Sequence, residues 1–265
     1  MRFVAAASVL GMLLPVAAWP EDRRLANLLE SVAQYVERYE RQLSMMVAEE
    51  DYLQTIRRRV GGDDEQRIIS DFLFLKLPSA ANWVGFRDVY RVDDLIVREP
   101  QDRFERILRD GGDVSRQAAE LAAESARYNI GSVVRTINVP TLVLGWLERN
   151  TQGRFKFELK GYQTISGIRC RVVAFREDET PTLIRGRVDS NIRSTGSFCT
   201  TDAGFVWRTE LQPQERAKIV VTYRFEPQFQ MLVPSEMRET YASDRLECVA
   251  KYSKYRQFFV TTRIK

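Results

Sequence analysis

The sequence predicts an α+β fold: one large curved antiparallel sheet, an unclosed β-barrel, with an N-terminal helix and a mid-chain helical insertion covering the concave face. Three observations predict it. Leu25, Leu28, Leu29, Val32, Val36, Tyr39 and Leu43 recur at steps of three and four, which makes one apolar helical stripe. From about Met46 the apolar period changes toward two, and beyond Gly153 nearly everything repeats at two between turn residues. Between these stretches lies a run rich in small residues, preceded by the breaker Gly111-Gly112-Asp113.

The elements follow in order. Pro20, Glu21 and Asp22 suit a first helical turn, with acidic groups at the positive end of the helix dipole. Residues 47–56, 68–77 and 86–92 read as strands, the first two joined by a turn at 61–65, and Asp93-Asp94 turns the chain into a short strand at 95–97. Phe72 and Phe74 fall on one face of the second strand, with Leu73, Leu75 and Leu77 on the other, so that strand is apolar on both sides. Val114, Ala118, Leu121, Ala122 and Ser125 mark a helix that ends near Asn129 and Gly131, and residues 141–147 follow a proline as a short buried helix. The strands expected thereafter are 155–160, 168–176, 182–188, 195–201, 205–211, 217–225, 234–241, 246–255 and 258–264, with the clearest hairpin at Asp202-Ala203-Gly204. Short connections favour antiparallel pairing.

The N-terminus predicts where the protein works. Arg2 supplies a basic start, residues 4–14 are apolar, and Val16-Ala17-Ala18 is a small-residue cleavage pattern, so residues 1–18 read as a secretory signal peptide. An uncleaved anchor is the alternative, although a bilayer span needs roughly 20 apolar residues and no second such run follows. Residues 19–265 then form a single domain, periplasmic or secreted, with no transmembrane segment in the mature chain. Removing Arg2 leaves 39 basic against 36 acidic residues, mixed along the chain. That balance describes a solvated surface and argues against a nucleic-acid partner. Three cysteines, Cys170, Cys199 and Cys248, are too few for a disulfide-stapled scaffold, and spacing does not choose between three buried thiols and one bridge with a free thiol.

Composition excludes several chemistries. The chain has no histidine, so Ser-His-Asp and Cys-His catalysis and histidine-ligated metals are ruled out. Phosphate-loop, dinucleotide-binding and nucleophile-elbow motifs are missing as well. Glu49-Glu50-Asp51 offers paired carboxylates, with Glu49 and Asp51 on one face of a strand, but nothing shows a partner or a substrate cleft for a hydrolase, and a cation site from Glu49, Asp51, Asp63 and Asp64 lacks the oxygen-rich spacing of a calcium loop. These acids, with Glu236 and Glu239, read as solvated charges at a strand edge. The expected enzyme role, cofactor and metal are therefore none.

The order of an exported N-terminal helix, strands, a helical insertion and a long antiparallel meander resembles the bacterial outer-membrane lipoprotein-sorting and carrier superfamily. Residues 35–54, 82–92 and 125–141 are also similar to an uncharacterised group of exported bacterial proteins. The superfamily resemblance implies an unclosed barrel whose helices lie over its concave face, sheltering acyl chains or docking partner proteins. It carries over no site residue. From the residues themselves, Phe72, Phe74, Trp83, Phe86, Leu142, Leu144, Trp146 and Phe155 are the candidates to line an apolar ligand site, and a plain core is the competing reading. The expected function is a non-catalytic binding protein of the cell envelope that shelters a lipid, a lipoprotein acyl chain or an apolar peptide. The alternative is an envelope protein-interaction or sensor domain with a solid core, and a lesser one is a carboxylate-dependent hydrolase that uses Glu49 and Asp51.

Overall fold

Strand and helix periods are visible directly in the burial of each element. The structure, a computed structural model, describes residues 20–43, 46–76, 83–98, 103–104, 114–133, 135–214 and 217–257. Helix α1 (Pro20–Leu43) buries Leu28, Val32, Tyr35, Val36, Tyr39 and Leu43 along one stripe. Four strands follow: β1 (Met46–Ile56), β2 (Asp64–Lys76), β3 (Trp83–Val92) and the two-residue β4 (Leu95–Ile96). The insertion contributes α2 (Val114–Ala126), α3 (Leu142–Trp146) and α4 (Arg149–Gln152). The meander is β5 (Phe155–Ile165), β6 (Ile168–Glu177), a small hairpin of β7 (Ile184–Arg185) and β8 (Asn191–Ile192), then β9 (Ser194–Thr200), β10 (Val206–Pro213), β11 (Lys218–Glu226), β12 (Met231–Tyr241) and β13 (Leu246–Gln257).

Among the described residues the main sheet has eleven strands in the order β4-β3-β2-β1-β13-β12-β11-β10-β9-β6-β5, antiparallel throughout. Its ends, β4 and β5, do not pair, so the barrel is unclosed. Curvature follows from reach. Helix α3 touches both β3 and β10, which lie six strand spacings apart, about 29 Å on a flat sheet. A five-residue helix is only about 7.5 Å long, so the sheet must curl around it. One continuous core fills the concave side, built from α1, α3 and the inward residues of the strands.

The insertion divides its work. Helix α3 is buried at every residue inside the concavity, whereas α2 lies against β3 at the sheet's rim. Strand β4 pairs only with Arg91 and Val92, so the rest of β3 would present unpaired backbone groups there, and α2 covers that side. Leu121 of α2 joins Val47, Leu73, Leu75 and Phe104 in a second, smaller core on the convex side, which accounts for the two apolar faces of β2.

The sequence-level reading of these elements differs from the structure in two places. Residues 182–188 do not form one strand: Val188 and Asp189 have φ of 54° and 57°, a left-handed conformation that ends the extended chain, and only Ile184–Arg185 pairs, with β8. Helix α4 was not expected. The signal peptide at 1–18 and the strand expected at 258–264 lie outside the described residues.

Candidate functional site

Seven of the eight candidate residues share the concave core: Phe72, Phe74, Trp83, Leu142, Leu144, Trp146 and Phe155, each buried. Phe72 and Phe74 tilt together at 4.8 Å between ring centroids and meet Tyr252, while Trp83 meets Tyr39 of α1 edge-on. Trp146 stacks on Phe155 at 5.5 Å and meets Phe175 edge-on. Phe86 is separate from these seven. Strand alternation turns it to the convex side, where it packs with Val84 on the smaller core.

Accessible apolar surface lies at one end of the curved sheet. A half-open cleft of about 780 Å³ is bounded by the loop with Val133 and Ile137, the β7–β8 hairpin with Ile184 and Ile192, and the β12–β13 turn with Tyr241 and Ala242. Ile184, Ile192 and Tyr241 belong to the concave core as well, so the cleft is the mouth of that interior. No sequence pattern drew attention to these residues, because they come from loops and short strands far apart in the chain.

The deepest chemistry is a buried polar network beneath the insertion. Glu50 is fully buried and accepts hydrogen bonds from Tyr252 (2.8 Å), Ser70 (3.2 Å) and Arg87 through both Nε and Nη2. Burial works against the Arg87 charge, but the adjacent Glu50 carboxylate outweighs it and holds the guanidinium above its usual range. Glu239, 1% exposed, accepts from Tyr52 (2.9 Å) and Tyr241 (2.5 Å), and its burial pushes its pKa up. Arg135 donates to Tyr52 Oη, Gln54 Oε1 and the Ile130 carbonyl. The network also grips the insertion's backbone: Gln54 donates to the Tyr128 carbonyl, Arg87 to that of Asn138, and Tyr223 to that of Pro140.

These positions correct the reading of the acids as solvated strand-edge charges. Strand β1 is interior to the sheet, between β2 and β13, and Glu50 shares the inward phase of Ala48 and Tyr52. Glu239 likewise shares the phase of Met237 and Tyr241. Glu49 and Asp51 do share a face, each with a cation: Lys254 Nζ donates to Glu49 at 2.8 Å, and Arg67 grips Asp51 with two donors. Asp63 and Asp64 are paired with Arg57 and Arg58. Such neutralised carboxylates leave no cluster with the excess negative charge that a hard cation requires.

No protein-family model and no curated protein matches this chain. Solved structures do. A DUF1329 family protein from Desulfovibrio piger aligns over 93% of this chain and 95% of its own, at 9% identity and a TM-score of 0.41. A putative outer membrane lipoprotein-sorting protein domain from Vibrio parahaemolyticus aligns over 89% and 93%, at 11% identity and 0.38. A LolA superfamily protein from Nitrosomonas europaea aligns over 90% and 96%, at 9% identity and 0.38. Two of these three bear names from the superfamily that the order of elements resembles.

The cysteines resolve into one bridge and one thiol. Cys170 on β6 and Cys199 on β9 form a disulfide with Cα atoms 5.4 Å apart, on neighbouring strands. Cys248 is buried beside the polar network, and burial pushes its thiol up to about 12, so it stays protonated and unreactive at neutral pH. No described helix is long and apolar enough to cross a membrane.

Proposed function

We propose that this chain is an exported, non-catalytic binding protein of the cell envelope that takes an apolar ligand, an acyl chain or an apolar peptide, into the cleft at the mouth of the curved sheet. The observation that carries the reading is the cleft itself. Its volume of about 780 Å³ falls in the roughly 300–1,000 Å³ range of small-molecule sites, and its wall of Val133, Ile137, Ile184 and Ile192 suits a ligand that gains about 0.8 kcal/mol per buried methylene. Export is supported by residues 1–18 and by the Cys170–Cys199 bridge, which belongs to an oxidising compartment. The ligand is a free lipid or the acyl chain of a lipoprotein. A long ligand that lifts residues 129–147 would meet Leu142, Leu144 and Trp146 on the insertion and Phe72, Phe74, Trp83 and Phe155 on the sheet, while Phe86 would stay on the far side.

Native mass spectrometry of protein purified from the envelope, with titration of a fluorescent fatty acid, tests this. We expect co-purifying lipid and saturable binding, weakened about 10- to 100-fold by Ile137→Asp, which removes roughly 1.5–3 kcal/mol of apolar contact. Binding untouched by Ile137→Asp excludes the cleft, and no binding by either method excludes the acyl ligand. A protein-docking or sensor role is the second reading, favoured by the close packing of the seven buried candidates. Under it the fatty acid fails to bind, and Ile137→Asp weakens an apolar peptide instead.

A further inference from the structure

Behind the cleft, across the wall that carries Arg135, Thr136 and Asn138, lies a second cavity of about 250 Å³ between α2 and the sheet. Thr136 lines both. The inner cavity differs in character, because Arg87 and Arg135 line it together with Tyr52, Ser125, Asn129 and Asn138. The two guanidinium groups lie over the Tyr52 ring, with their central carbons 5.3 and 5.8 Å from its centroid. Cation–π contact and the hydrogen bonds described above hold both in place.

Arg135 is 9% exposed, yet its hydrogen-bond acceptors are all neutral: a phenol oxygen, an amide oxygen and a backbone carbonyl. Among the described residues no carboxylate forms a salt bridge with it, and its Nε has no hydrogen-bond partner. Buried charges are ordinarily paired, since removing an unpaired one from water costs several kcal/mol. Arg87 has a partner in Glu50, but among the described residues its hydrogen bonds use Nε and Nη2 only, which leaves both protons of Nη1 for another acceptor. Glu50 accepts four hydrogen bonds, so its charge is already well solvated by the protein. Glu239, the second buried carboxylate, reaches Arg135 only through the Tyr52 hydroxyl, so the cavity is bordered by two fixed cations with unused N–H donors, of which Arg87 alone has a carboxylate in direct contact.

We propose that this inner cavity is an oxyanion site, in which Arg87 and Arg135 together bind a carboxylate or phosphate group. Guanidinium donors match the oxygens of such groups in geometry as well as charge. Asn129, Asn138 and Ser125 supply neutral polar groups around the remaining oxygens. The site is separate from the apolar cleft, and its occupant is either a free small anion or the head of an anionic lipid.

Calorimetric titration of the mature protein with inorganic phosphate, and in parallel with a short-chain monoalkyl phosphate, tests the proposal. Two variants accompany the wild type: Arg135→Gln, which removes the cation that has no carboxylate in direct contact, and Ala126→Trp, which fills the cavity from an exposed position on α2 and leaves both arginines intact. The expected result is saturable binding of at least one probe, weakened about 10- to 100-fold in each folded variant, the loss that follows from removing a charge-assisted hydrogen bond. Inorganic phosphate binding as tightly as the alkyl ester identifies a free anion as the occupant. Preference for the ester identifies a lipid head. Binding that both variants leave unchanged, or no binding of either probe, overturns the proposal. If Arg135→Gln fails to fold, Ala126→Trp decides alone. Fatty-acid binding in the outer cleft is unaffected by Ala126→Trp, so failure here is distinguishable from failure of the proposed function.

Discussion

Three consecutive acids show how much a single residue's environment depends on strand phase. Glu49 and Asp51 face water with Lys254 and Arg67 for partners, while Glu50 between them is sealed in the core with Arg87. The alternation was legible in the sequence, but which face is buried was not, because that requires knowing that β1 is central and that Arg87, two strands away, supplies the countercharge. Removing one partner of a buried pair leaves the other uncompensated, so Glu50→Ala is expected to lower unfolding free energy by about 3–5 kcal/mol. The double change Glu50→Leu with Arg87→Met should recover most of that loss. Urea denaturation measures both. A single variant within about 1 kcal/mol of wild type would show that the pair does not hold the sheet, since even exposed ion pairs reach that size.

At the scale of elements, the decisive contact is where α1 meets the insertion. Glu40 of α1 and Glu148, which precedes α4, both pair with Lys76 at the end of β2, and Arg149 reaches back to Glu30 and Glu37 on α1. The helix also fits closely over the β9–β10 turn: a Cβ at Gly204, where φ is +86°, would lie 2.2 Å from the Ser31 carbonyl oxygen. Burial, and then the hydrogen bond to Glu40, raise the Glu148 pKa to about 7 from an ordinary 4.5. Between those values the folded protein therefore binds more protons at Glu148 than the unfolded chain does. Its contribution to stability is greatest at the acid end of that window and is lost as pH rises through about 7. Thermal melts at pH 5 and pH 8 should show a smaller alkaline loss in Glu148→Gln than in wild type. Equal losses would mean that Glu148 titrates normally in the fold.

For the whole molecule, the curved sheet and the insertion are held together by different forces. The sheet is one continuous antiparallel ladder with a packed core. The segment between α2 and α3 depends more on discrete polar contacts, from Gln54, Arg87 and Tyr223 to backbone carbonyls. Local opening is governed by the contacts it breaks, so hydrogen exchange at residues 127–140 is expected to be faster than in β1, β12 and β13, and to slow when a ligand occupies the cleft. Protection equal to that of the central strands, with and without fatty acid, would make this segment ordinary core and count against its being lifted by a ligand.

Period and punctuation in the sequence were enough to determine α1, the strand ladder, the Asp93 and Asp202 turns and the helical middle, because each depends on residues a few positions apart. The resemblance to lipoprotein carriers was drawn from the same local signals, since it rests on the order of elements. Phe72, Phe74, Trp83, Leu142, Leu144, Trp146 and Phe155 were recognisable as an apolar set, though their composition suits a cavity and a core equally. Only the tertiary structure joined Cys170 to Cys199, turned Phe86 outward, sealed Glu50 and Glu239 inside, and built the cleft from Val133, Ile184 and Tyr241. Those outcomes depend on strand order and on the curl of the sheet, which bring together residues from 29 to 202 positions apart, and no local pattern encodes which distant partner a side chain will meet.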